Sequence, residues 1–252
     1  MFWEDLPKLE ISKAALPVVH TTESIFLRDI ARGGKIDTSL CKVYKEELVY
    51  VFYGRPGYRP STSNTATKIL DYYPVVLLFD PMAITSIRRM LPFDSGGFQS
   101  GRFEAFLHPS MTKEQFEIPA PIDNLEAVID YFFGSTEAYL RAVGRLGEKP
   151  SPTKFELSAF YRMVHETQKS PSDDRRVTCE VQSDKPIALN QGFVHSIIAS
   201  AVFEDEPYFE TRLGEWNCSF KGYDCTLANS NEMHGLISQL VKDALDDWKR
   251  DR

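Results

Sequence analysis

The residues best able to do chemistry are densest at the corner Tyr53-Gly54-Arg55-Pro56-Gly57-Tyr58-Arg59-Pro60. Gly54 and Gly57 permit backbone conformations and close approaches that a side chain would block, while Pro56 and Pro60 stiffen the chain between them. Arginines held on such a loop can grip a phosphate or carboxylate through paired hydrogen bonds, which makes Gly54, Arg55, Tyr58 and Arg59 candidate anion-binding positions. The competing reading is a surface hairpin whose arginines pair with local acids. His20 closes the apolar run Leu16 to Val19, and Tyr53 closes the run that begins at Leu48. Glu180 lies in a stretch whose alternation puts Val177, Cys179 and Val181 on one face and Thr178, Glu180 and Gln182 on the other. A polar strand face of that kind lines a cleft or faces water.

Other combinations point elsewhere. Cys179 with His195 suggests a thiol nucleophile, but Cys179 falls on the apolar face, where an inert buried cysteine is expected. Cys218, Cys225 and His234 lack the paired close spacing of a zinc site, so no metal is expected. His108, near Arg102, could contact a substrate, and together with His20 it allows a nuclease or phosphotransferase.

The order of His20, Tyr53 and Glu180 resembles the ADP-ribosyltransferase fold of the diphtheria-toxin and poly(ADP-ribose) polymerase type. There a first strand ends in a histidine followed by a helix, as Val18-Val19-His20-Thr21-Thr22 and the segment to Gly34 do here; a second strand carries a tyrosine, and a later one a glutamate. The resemblance covers about the first 60 residues and one later strand. It implies an α+β fold with a mixed or antiparallel split β-sheet core and flanking helices, NAD as co-substrate, His20, Tyr53 and Glu180 as catalytic residues, and Thr21 with the Gly54–Arg59 corner around the nucleotide. NAD is an anionic dinucleotide whose nicotinamide leaves through an oxocarbenium-like transition state. Such a site needs an aromatic shelf, a ribose hydrogen bond and a carboxylate near the developing charge. Glu104 is the rival carboxylate. The expected partner is an acceptor macromolecule of unidentified class, though the residues leave protein, nucleic acid and small molecule open; the alternative is a nucleotide- or phosphate-binding interaction protein that turns nothing over.

The elements that must position these residues follow from periodicity. A strand to Val19 leads into a helix capped by Thr22 and stopped at Gly33-Gly34. Residues 1 to 14 show no clear period and read as an arm. Ser61 to Thr67 reads as a loop beside the arginine corner, placed where a lid would be. Val75 to Phe79 is a buried strand, Ala83 to Met90 a short helix, and Phe93 to Phe98 a second glycine-rich corner. Helices are expected over 123–143, interrupted at Gly134-Ser135, and over 155–165. Phe193 to Phe203 suits helix or strand, with helix preferred; Trp216 to Leu227 reads as a hairpin about Gly222, and the segment from Leu236 to Trp248 as an amphipathic helix. The whole is expected to form one α+β domain over 1–252 with a helical insertion around 123–166.

The net charge of −7 argues against broad, sequence-independent binding of nucleic acid or an anionic membrane, since either requires a basic surface. No apolar run approaches the roughly 20 residues of a membrane helix. Four scattered cysteines read as reduced thiols in a cytoplasmic protein.

Overall fold

A computed structural model describes residues 1–7, 16–57, 66–147, 149–165, 174–224, 227 and 229–250. In chain order its elements are α1 (Phe2–Asp5), β1 (Val18–Glu23), α2 (Ser24–Gly33), β2 (Lys35–Ile36), β3 (Ser39–Leu40), β4 (Glu47–Tyr53), β5 (Pro74–Phe79), β6 (Arg89–Leu91), α3 (Ser95–Gln99), α4 (Asn124–Phe133), α5 (Thr136–Leu140), α6 (Phe155–His165), β7 (Glu180–Ser183), β8 (Ile187–Ala188), β9 (Val194–Ser200), α7 (Pro207–Trp216), β10 (Ser219–Tyr223) and α8 (Ser230–Arg250). The fold is mixed α+β.

The main sheet runs β10-β9-β5-β1-β4-β7-β6, with β3 added to β4. Only β9 and β10 run parallel; the other pairs are antiparallel. The strands β4, β5 and β9 are apolar nearly throughout because helices cover both faces of the sheet. On one face Val18, Val51, Leu77, Phe79 and Val181 belong to a large core shared with α4, α5 and α6. Phe2 of α1 is fully buried there, with ring centroids 5.8, 5.9 and 5.6 Å from Phe116, Phe132 and Phe160. On the other face Val19, Val76, Leu78 and Ile198 pack beneath Ile237, Val241 and Ala244 of α8.

The ladder is uneven along β1. Against β5 it is paired at six positions, from Val18↔Phe79 to Glu23↔Pro74. Against β4 it is paired at only two, Val18↔Tyr53 and Val19↔Phe52, with the Gly54 amide adding a bond to Pro17 O. Beyond Val19 the two strands part, leaving a seam in the sheet. Gly54 ends β4 at φ 68°, and a Cβ there would meet Leu16 at 2.6 Å, so no other residue turns the chain as closely.

Several expectations are corrected. β1 runs through His20 to Glu23, which takes the N-cap position of α2 in place of Thr22; Gly34 ends that helix in the left-handed region. Residues 83 to 90 are not helical: a short 3-10 turn over Pro81–Ala83 leads to β6, whose Met90 pairs with Val181. Phe193 to Phe203 is chiefly the strand β9, because its Val and Ile residues fill a position between β5 and β10 where both edges are paired. Trp216 to Leu227 is no hairpin, since β10 pairs in parallel with β9 across the intervening α7. Most of the Ser61 to Thr67 stretch lies outside the described residues. Among the described residues no helix is long and apolar enough to cross a membrane.

Candidate active site

The pleat decides which candidates can meet. Phe52 lies opposite Glu180 and Tyr50 opposite Gln182, so these four share one face of the sheet, together with Arg89 and Leu91 of β6. Val51 lies opposite Val181, which puts Tyr53 on the other face with Cys179. Thr21, two residues after Val19, points to the Glu180 side, whereas His20, opposite Leu77, falls on the Tyr53 side.

Glu180 is fully buried. Its Oε2 accepts the Ser95 amide at 3.0 Å and its Oε1 accepts Nε2 of Gln182 at 2.6 Å. Beside it, Asp94 accepts Nη1 of Arg175 at 2.8 Å, and its other oxygen caps α3 through the Gly96 amide at 2.8 Å. Burial first, and then the negative charge of Asp94, push Glu180 up to about 8. The two N–H donors act in the opposite sense by favouring the carboxylate. Tyr44 and Tyr50 lie close enough to sense the charge of Glu180, and burial with that charge raises both phenols. The Tyr50 hydroxyl meets Cys41 Sγ at 2.6 Å. The Thr21 hydroxyl is buried and makes no hydrogen bond, and the Tyr44 hydroxyl is buried beside Gln182.

His20 is half-buried at the seam, where its Nδ1 lies 2.9 Å from Tyr50 O. A carbonyl can only accept, so Nδ1 carries the proton and Nε2 presents a lone pair when the ring is neutral. Burial favours that neutral state by lowering the pKa of His20. β1 and β7 are separated by two strand spacings, about 10 Å.

Tyr53 is not brought to this place. It is fully buried on the opposite face, donating to Glu126 Oε1 at 2.6 Å and accepting the Leu16 amide at 3.0 Å. Tyr53→Phe is therefore expected to lower stability by about 1 to 3 kcal/mol, the cost of leaving Glu126 without that donor. Urea denaturation measures the loss, and ligand binding at the Glu180 face should not change. Arg55 is likewise turned inward: it is 5% exposed, donates to Tyr139 O at 3.2 Å, and stands 5.6 Å over the Tyr139 ring. Its guanidinium braces the core at the end of β4 beside Gly54. Tyr58 and Arg59 lie outside the described residues.

Glu104 and His108 sit on an exposed turn after α3, away from the sheet strands. Cys179 and His195 do not meet, because β7 and β9 are separated by β4, β1 and β5; burial pushes the Cys179 thiol up to about 12. Sequence reasoning missed Tyr50, Ser95, Arg89 and the Asp94–Arg175 pair. Tyr50 was legible from parity alone, since it stands three residues before Tyr53 and so must face the other way. No protein-family model matches the chain, nor does any curated protein or solved structure.

Proposed function

We propose that the chain is an NAD-consuming ADP-ribosyltransferase, with Glu180 as the carboxyl group facing the reacting ribose. The supporting observation is that β1, β4 and β7 lie side by side with Thr21, Tyr50 and Glu180 on one face, while His20 stands at the seam on the other. In the resembled family, strands in this order bring a histidine, a tyrosine and a glutamate to one ligand; here Thr21 and Tyr50 stand on the Glu180 face where His20 and Tyr53 were expected. The parting of β1 from β4 after Val19 suits the split sheet of that family. Tyr50 takes the role of aromatic shelf in place of Tyr53, and the Thr21 hydroxyl, buried without a partner, is available to a ligand. In its ionised form, which the raised titration of about 8 reserves for the alkaline side of neutrality, Glu180 supplies negative charge as the nicotinamide bond breaks, so turnover should rise with pH through that value. The acceptor is a macromolecule, and the free thiols Cys41, Cys179 and Cys218 suit a cytoplasmic setting.

A second reading rests on one feature: Glu180 is fully buried with both oxygens already bonded, which suits a polar core group in a non-catalytic nucleotide-binding protein. Incubation with NAD and a cell extract separates the two. Turnover should release nicotinamide and label an acceptor; NAD binding without release would favour the binding protein, and no binding with no release would defeat both.

A further inference from the structure

We propose that Arg89 is a positioning residue that acts on Glu180 through Gln182. The proposal rests on the reading above only in taking Glu180 as the acid of the site. Arg89 Nη1 donates to Gln182 Oε1 at 3.2 Å, and Gln182 Nε2 donates to Glu180 Oε1 at 2.6 Å. A guanidinium has only donors and an ionised carboxyl only acceptors, so once Glu180 loses its proton one amide orientation satisfies both neighbours, and Arg89 fixes it. With the amide turned over, its carbonyl would face the carboxylate and its NH2 group the guanidinium, and both contacts would become repulsive. Nε2 also lies 3.4 Å from Ser95 Oγ, a contact consistent with the same orientation.

Arg89 is itself held from three sides. Its Nη2 reaches Glu46 Oε1 at 2.5 Å, its Nε stands 3.5 Å from Glu117, and its guanidinium lies 4.1 Å from the Tyr44 ring centroid, with Lys113 at 4.9 Å from the same ring. Its side chain is 11% exposed. The outer side of Arg89 lines a cavity of about 330 Å³ with Trp3, Arg88, Glu117 and Ile118. The relay thus runs from the edge strand β6 to a carboxyl group that solvent does not reach. The charged and titratable groups around Glu180 are Asp94, paired with Arg175, on the α3 side, and Tyr44 and Tyr50 on the β4 side; beyond Gln182 stand Arg89 with Glu46 and Glu117.

The test reads the titration of the Glu180 carboxyl by carbon NMR on protein carrying labelled glutamate, with Glu180→Gln assigning the signal. No NAD is present, so the outcome is independent of whether the transferase reading survives. Arg89→Met should move the titration upward by about one pH unit, the effect of weakening one hydrogen bond to the ionised form. Gln182→Met should move it at least as far. The deciding comparison is the double variant: if Arg89 works through the amide, Arg89→Met adds nothing once Gln182 is Met. An equal further shift in the double variant, or no shift in Arg89→Met alone, would overturn the relay. Arg89→Lys and Glu46→Gln leave more of the packing intact and carry the same test should Arg89→Met fail to fold. Each should give a smaller upward shift that vanishes in the Gln182→Met background, and persistence of the shift there would count against the proposal.

Discussion

Arg175→Met is expected to lower the unfolding free energy by about 3 to 5 kcal/mol, because it strands one partner of a buried ion pair. Arg175 and Asp94 meet at 2.8 Å with side chains 5% and 8% exposed, so water cannot replace the guanidinium. The orphaned carboxylate would also repel Glu180 more strongly and push its titration higher. Asp94→Asn added to Arg175→Met should restore much of the loss, since asparagine keeps an oxygen for the Gly96 amide that starts α3 while shedding the charge. Urea denaturation of the single and double variants measures both steps. A single variant within about 1 kcal/mol of the wild type would show that the pair is solvated after all.

Glu180→Gln should reduce nicotinamide release by about 100- to 1000-fold while NAD affinity changes little, since an amide keeps size and some hydrogen bonding but cannot carry charge in the transition state. The same variant tests the electrostatics in the absence of any ligand. A carboxyl group whose folded pKa is raised contributes its stability fully below the unfolded value of 4.5 and loses it as pH rises through the folded value of about 8. The wild type should accordingly lose a few kcal/mol between pH 5 and 8 relative to Glu180→Gln. The difference in slope, not the absolute level, is the readout, because the glutamine amide meets two donors and has its own cost. Equal slopes would place the titration of Glu180 near that of an ordinary glutamate.

The parts of this fold that were legible in the sequence are those where a single period dominates. The strand ending at Tyr53, the helix Phe155–His165 and the C-terminal amphipathic helix all read directly from spacing. The polar face of the Glu180 strand was legible at Glu180 and Gln182 for the same reason, but the alternation expected from Val177 was not a strand there: Asp174–Val177 is a 3-10 turn and the strand begins at Glu180. Phe193 to Phe203 was not, since a continuous apolar run carries no period and only its neighbours β5 and β10 make it a strand. Residues 83 to 90 misled in another way. Arg88 and Arg89 fit an exposed helix turn, and nothing local reveals that Arg89 is wanted at a sheet edge by Gln182, 93 positions away. The arginine corner shows the limit of composition: a guanidinium between glycines and prolines suits an anion, yet Arg55 is buried and turns Nη1 to Tyr139 O in the core. Tyr53 stands on the expected strand but, like His20, on the face opposite Glu180, which only the strand register reveals.

The seam between β1 and β4 gives the sheet a mechanical character that its topology alone does not convey. On one side β1, β5, β9 and β10 are laced together and backed by α8; on the other β4, β7 and β6 form a shorter block carrying Glu180. Among the described residues the sheet ladder joins the two blocks only near Pro17, Val18 and Val19, with the His20 ring bracing the open side against Tyr50 O and the core beneath α4, α5 and α6 spanning both. Such a joint behaves like a hinge with its pin at one edge: a small rotation widens or narrows the gap without breaking a ladder bond inside either block. A ligand held by Thr21 on one block and Glu180 on the other would act as a strut across that gap, stiffening the whole sheet against shear.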